Sequence, residues 1–257
     1  MIPKIKWSAK THRGLLREEN EDGFLCEPAL GLFLVADGMG GHQAGEIAAN
    51  IACDSIKEYI YKTKDKPLKK LPFSYKKSFP LEWNILLGAL SYANGKIIKY
   101  AENQKYISGM GTTIVTTLFY DKKMSYAHLG DSRLYLFKDG ILKLLTEDHS
   151  WVQEQVKLGY LTPEEANYHP LKNVITRALG GSSRISIDIA DISIENGDKF
   201  LLCSDGLNVV VPEETIADIL NQEKDLENCT EKLINETLKR GAPDNITVLL
   251  LEIVLEK

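Results

Sequence analysis

The chain is poor in the residues that staple small secreted proteins or build zinc knuckles. Its 4 cysteines, Cys26, Cys53, Cys203 and Cys229, are scattered over 257 residues. They form no Cys-x-x-Cys pair and mostly sit in apolar patterns, which argues for buried free thiols in a reducing compartment rather than disulfides or zinc. No apolar run approaches the roughly 20 residues a spanning helix requires, and the start, Met1-Ile2-Pro3-Lys4-Ile5-Lys6-Trp7, has no signal-peptide core. A cytoplasmic protein with no membrane contact is expected. Positive charge is also short: 31 Lys and Arg stand against 36 Asp and Glu, a formal net charge of -5. Such a balance gives no broad attraction to nucleic acid or anionic lipid.

Several catalytic signatures are missing too. Gly38-Met39-Gly40-Gly41 follows a strand-like run, but Gln43 stands where a dinucleotide fingerprint needs its third Gly, and no Gly-Lys-Ser/Thr step completes a P-loop. Gly109-Met110-Gly111 meets Ile114 where its third Gly is required. There is no Gly-x-Ser-x-Gly elbow, and no cysteine has an Arg spaced to receive a phosphate. Covalent nucleophilic catalysis has little support.

What the chain does have is 44% apolar residues, enough for one large domain over residues 1–257, and carboxylates at the ends of apolar runs. Asp37 follows Leu32-Phe33-Leu34-Val35-Ala36, and Asp205 follows Phe200-Leu201-Leu202-Cys203-Ser204. Each precedes a Gly. Asp-Gly is also a common hairpin turn, and Asp139-Gly140, between two short strand patterns, reads as a plain one. Asp37 differs in its sequel, Gly38-Met39-Gly40-Gly41-His42, which opens a helix and makes a strand-to-helix corner. Glu21, Asp22 and Asp244 add further acidic points that only folding can bring together. Gathered carboxylates repel, and hard divalent cations with oxygen ligands are the usual relief. Arg17, just before Asn20-Glu21-Asp22, would, if carried on a strand, set a planar, permanently charged fork beside them, suited to two phosphate oxygens.

Helical periodicity spans Ala44 to Lys62 and about Leu81 to Gln104, separated by a Pro- and Lys-rich connection over 62–80. Short strands follow at Thr112–Tyr120, Met124–Leu129, Arg133–Phe137 and Ile141–Leu145. An irregular stretch from Ser150 to Ala178 contains a helical piece around Trp151–Leu161. Strands return at Ile185–Ile189, Lys199–Ser204 and Ile246–Val254, with helices near Pro212–Gln222 and Leu226–Arg240 between the last two. That order predicts an α+β fold, antiparallel sheets covered by helices on the outer faces.

Together Gly14-Leu15-Leu16-Arg17-Glu18-Glu19-Asn20-Glu21-Asp22, Val35-Ala36-Asp37-Gly38-Met39-Gly40-Gly41-His42, Gly109-Met110-Gly111-Thr112-Thr113, Gly130-Asp131-Ser132-Arg133, Asn173-Val174-Ile175-Thr176-Arg177-Ala178-Leu179-Gly180, Ser204-Asp205-Gly206 and Asp244-Asn245-Ile246-Thr247 resemble, in order, the metal-dependent Ser/Thr protein phosphatases of the PPM or PP2C type in their bacterial form. The resemblance implies an antiparallel β-sandwich flanked by helix pairs on both faces. It implies hydrolysis of phosphoserine and phosphothreonine in proteins by a hydroxide bridging two Mn²⁺ or Mg²⁺ ions, opposing a Ser/Thr kinase, in a monomer that binds no nucleic acid. By similarity Asp37 bridges both ions, Asp205 and Asp244 complete one site, and Glu21 and the Gly38 carbonyl serve the other. Asp22 holds metal-bound water, Arg17 binds phosphate, and Asp131 with Asp205 takes a third ion. Eukaryotic relatives place a His directly after the Asp-Gly pair, where this chain has Met39. The nearest imidazole, His42, has the pKa class of a general acid, a task a metal-bound water would also perform. Residues 150–180 correspond to the family's flap, whose expected role is substrate choice. The lysine-rich connection reads as a solvated surface, with docking of acidic phosphoproteins as the alternative. Two rivals are a binding module without turnover and a nuclease or small phosphoester hydrolase.

Overall fold

The computed structural model describes residues 2–40, 43–64, 66, 75–104 and 109–255. In chain order the elements are β1 (Lys4–His12), β2 (Asp22–Glu27), β3 (Leu32–Met39), α1 (Ala44–Thr63), α2 (Leu81–Glu102), β4 (Gly111–Thr112), β5 (Ile114–Tyr120), β6 (Lys123–Leu129), β7 (Arg133–Lys138) and β8 (Ile141–Leu144). They continue as α3 (Trp151–Lys157), α4 (Pro163–Tyr168), β9 (Asp188–Ser193), β10 (Lys199–Cys203), α5 (Asp205–Asn208), α6 (Glu213–Gln222), α7 (Leu226–Lys239) and β11 (Ile246–Val254).

Strand alternation builds the layers. In β3, Leu32, Leu34 and Ala36 point to one face, where Ile56, Ile60, Leu86 and Leu90 of α1 and α2 cover them. Phe33 and Val35 point to the other, against Phe200, Leu202, Leu249 and Leu251 of the opposing sheet. The same alternation sends Val248 and Leu250 of β11 outward to Leu220 of α6 and Leu233 of α7. One sheet runs β1-β11-β10-β7-β8 and the other β2-β3-β5-β6-β9, with β4 paired to β3. Every pairing is antiparallel. Phe119 packs edge-on against both Phe33 and Phe200, with centroids 5.9 Å apart in each pair, and joins the sheets. The result is the expected α+β sandwich with a helix pair on each face. Among the described residues no helix is long and apolar enough to cross a membrane.

Some expectations need correction. Arg17 lies on no strand; it sits in the connection between the end of β1 and the start of β2. The run from Thr112 breaks at Thr113, opposite Asp37 in the same register: the Thr113 N–H keeps its ladder bond to the Asp37 carbonyl at 2.8 Å, but the Asp37 N–H turns to Thr113 Oγ1 at 3.1 Å. The strand read at Ile185–Ile189 forms instead at Asp188–Ser193, where Asp191 hid the pattern; its carboxylate accepts from Ser125, Tyr120 and Trp83. The helix read to Leu161 stops at Lys157, and Thr162 starts α4 with a capping box completed by Glu165. Residues 65 and 67–74 of the Lys-rich connection lie outside the described residues, as does His42.

Candidate active site

Strand direction decides which residues meet. β3 and β10 end, and β2 and β11 begin, at the same end of the sandwich, and the turn between β6 and β7 crosses from one sheet to the other there. Asp37 is thus in register beside Asp22, Asp205 follows β10, Asp244 precedes β11, and Asp131 sits in the crossing turn. The sequence-separated carboxylates converge: Asp22, Asp205, Asp131 and Asp244 all lie near enough to Asp37 to act on its charge.

The backbone at Asp37 is held hard. Its carbonyl accepts from the Thr112 hydroxyl at 2.9 Å as well as the Thr113 N–H, and its own N–H donates to the Thr113 Oγ1 at 3.1 Å. Thr113 Oγ1 is in turn 2.7 Å from the Ser132 hydroxyl, next to Asp131. At Gly38 a side chain is forbidden by close approach: a Cβ would lie 2.1 Å from the Gly45 carbonyl oxygen and 2.6 Å from that of Glu21. Gly38 donates its N–H to the Glu21 carbonyl at 3.2 Å, and Gly45, at the start of α1, passes so close to the Glu21 carboxylate that a Cβ there would lie 2.7 Å from Oε1. Asp22 is fixed by two hydroxyls, Ser204 and Thr247, each donating to its Oδ2 at 2.7 Å.

The electrostatics are unfavourable without a counter-charge. Burial, then the neighbouring carboxylates, raises the acidic groups: Asp22 to about 7, Asp131 to about 7, Asp205 to about 6, and Asp37 well above its usual range. Glu21 is raised by burial as well. One oxygen each of Glu21, Asp22, Asp131 and Asp205 is buried without a hydrogen-bond partner. Buried carboxylate oxygens left bare are costly, and an all-oxygen donor set of this kind fits hard divalent cations such as Mn²⁺ or Mg²⁺. Arg17 stands at the rim, its Nη2 2.7 Å from Asp244 Oδ2, with 53% of the side chain exposed. Cysteine chemistry has no place here: burial pushes Cys26, Cys53 and Cys203 up to about 12.

Several supporting groups were invisible as chemistry in the sequence. The Thr112, Thr113, Ser204 and Thr247 hydroxyls sit inside motif pieces already singled out, and that adjacency was their one signal. Arg133 forks onto Asp148 at 2.9 and 2.7 Å and reaches the Tyr135 hydroxyl at 3.0 Å, tying the Asp131 turn to the start of the irregular stretch. A groove runs from Asp131 and Asp205 past Arg133 and Asp148 to Asn173, beneath α3 and α4. Close by, His149 Nδ1 accepts the Gly130 N–H at 3.1 Å, and its Nε2 lies 3.2 Å from Asp188. His128 stacks on His149 with centroids 4.6 Å apart and planes 13° from parallel, so one ion could not lie in the plane of both rings.

Comparison with known proteins agrees with this geometry. The family model for protein phosphatase 2C matches residues 16–250. The serine/threonine phosphatase Stp of Listeria monocytogenes is 35% identical over 253 residues, covering 95% of this chain and 94% of its own. The crystal structure of the Mycobacterium tuberculosis serine/threonine phosphatase PstP/Ppp superposes with a TM-score of 0.85 at 34% identity, covering 97% of this chain and 99% of that one. A PstP catalytic domain in complex with 2 manganese ions gives a TM-score of 0.82 at 34% identity, over 97% of this chain and 98% of that one. The chain belongs to the protein phosphatase 2C family.

Proposed function

We infer that this protein removes phosphate from phosphoserine and phosphothreonine in proteins, with Mn²⁺ or Mg²⁺ as its cofactor. The observation that carries the reading is the buried ring of carboxylates with bare oxygens beside a rim arginine. Asp37, Asp205 and Asp244 would hold one ion, and Asp37, Glu21 and the Gly38 carbonyl the other, with Asp131 and Asp205 taking a third. Such ions supply charge neutralisation for the phosphoryl oxygens and a nucleophile from water near neutral pH. The protein's own groups do the rest. Arg17 binds two phosphate oxygens and orients the ester for in-line attack, which needs no phosphoenzyme. Asp22, its Oδ2 fixed by Ser204 and Thr247, keeps Oδ1 free to orient water. His42 is the proposed proton donor to the leaving alkoxide.

The catalytic unit is one domain over 1–257, with 150–180 as the flap over the groove, and it acts as a cytoplasmic monomer reversing a Ser/Thr kinase. Support for the flap is the position of α3 and α4 along the groove from Asp131. The experiment is phosphate release from a phosphothreonine peptide. Release is expected with Mn²⁺, none with EDTA, and a loss of at least about a hundredfold in Asp37→Asn. Binding of the peptide without release, or equal rates in EDTA, would contradict the assignment.

A further inference from the structure

The segment carrying Arg17 has almost no apolar anchor. Leu15 and Leu16 are 59% and 73% exposed, so burial does not hold this loop over the site. One buried side chain does. Asn245, 5% exposed, donates both of its amide hydrogens into the loop, to the Arg13 and Glu19 carbonyls at 2.9 Å each, and accepts the Glu21 N–H on Oδ1 at 2.8 Å. These contacts bracket Arg17 from both sides and end on Glu21. The neighbouring backbone adds a second strap: Leu15 N–H donates to the Ala242 carbonyl at 2.9 Å. Gly14, at φ +78, passes so close that a Cβ would lie 2.1 Å from the Asp244 oxygen and 2.8 Å from that of Ala242. The loop is therefore seated directly on the residues that lead into β11.

We infer that Asn245 and Gly14 are positioning residues that set the reach of Arg17 toward phosphate, so that the turn leading into β11 fixes the guanidinium as well as carrying Asp244. The inference rests on the phosphatase reading above. A guanidinium displaced by a fraction of an ångström loses its two-point grip, while Asp22 and Asp37 on β2 and β3 keep their places and saturating Mn²⁺ would keep Glu21 and Asp244 on the ions. The cost then falls on phosphate affinity more than on turnover of bound substrate.

The test uses the intact protein at saturating Mn²⁺. KM for a phosphothreonine peptide and competitive inhibition by inorganic phosphate are measured in wild type, Gly14→Ala, Asn245→Ser, Arg17→Ala and the two doubles with Arg17→Ala. Each positioning variant is expected to raise KM and the phosphate inhibition constant about tenfold with a change in kcat under about threefold. In the doubles those constants match Arg17→Ala alone, because the positioning effect acts through Arg17. A folded Asn245→Ser with unchanged phosphate inhibition, or doubles whose losses multiply, would overturn the inference. Should Gly14→Ala fail to fold, Asn245→Ser decides it. Failure of the underlying reading looks different: wild type itself would release no phosphate.

Discussion

Asp22, Asp37, Asp131 and Asp205 are each pushed upward by burial and by one another, and the sign of that shift has a thermodynamic consequence. A carboxyl whose folded value exceeds its unfolded one stabilises the protein at low pH and loses that contribution as pH rises through the folded value, here about 6 to 7 and above. His128 and His149 are shifted down by burial from 6.5, so their opposing contribution falls below that pH. Above it the carboxylates act alone. Thermal melts in EDTA are expected to fall by about 5 °C from pH 6.5 to 8. Asp205→Asn should raise the pH 8 value, and Mn²⁺ should abolish the fall by binding the ionised carboxylates. A melting temperature that climbs over this interval in EDTA would contradict the electrostatic description. Asp37 and Asp205 were legible in the sequence because Asp after an apolar run, then Gly, marks a strand end; Asp22 stood out within Asn20-Glu21-Asp22, and Asp131 came through the family resemblance alone. Asn245 was not legible, since its role lies in contacts to a segment more than two hundred positions away.

At the scale of elements, what the sequence disclosed followed its period. The strand from Ile246 to Val254 and the helices α1 and α2 are regular enough in apolar spacing to be placed within a residue or two, and Asp139-Gly140 closes the β7–β8 hairpin as a plain turn. β9 escaped because polar groups inside it are satisfied by side chains of other elements, which no local pattern reports. The α3–α4 break escaped because apolar spacing runs on past a backbone stop: Gly159 takes φ +75 after the Leu158 C-cap, the Tyr160 N–H donates to the Gln155 carbonyl, and Thr162 then caps α4. Arg133 shows how the irregular stretch is fastened: a two-point ion pair with Asp148, backed by Glu213 at 3.5 Å, with both Arg133 and Asp148 mostly shielded from water. Arg133→Met leaves Asp148 unpaired and should cost about 3 kcal/mol in urea unfolding, while adding Asp148→Leu should recover most of it. No loss in the single variant, or an equal loss in the double, would show that the pair does not fasten this region.

For the whole molecule, the topology does the assembling. Two antiparallel sheets packed face to face put strand ends from distant parts of the chain at one rim, so residues between positions 17 and 244 become neighbours without any long loop reaching across. The motif order disclosed the family, and the order of strands and helices disclosed the layers. Neither disclosed that the two sheets share one end as the site; that follows from strand direction and register, which depend on pairing between distant segments. The central claim is that this rim is a cage for two cations. The most direct measurement is the anomalous signal of manganese in crystals grown with Mn²⁺. Two strong peaks are expected, both against Asp37, one extending to Asp205 and Asp244 and the other to Glu21 and the Gly38 carbonyl, and both absent in Asp37→Asn. Peaks elsewhere on the surface, or an unchanged pair in that variant, would contradict it.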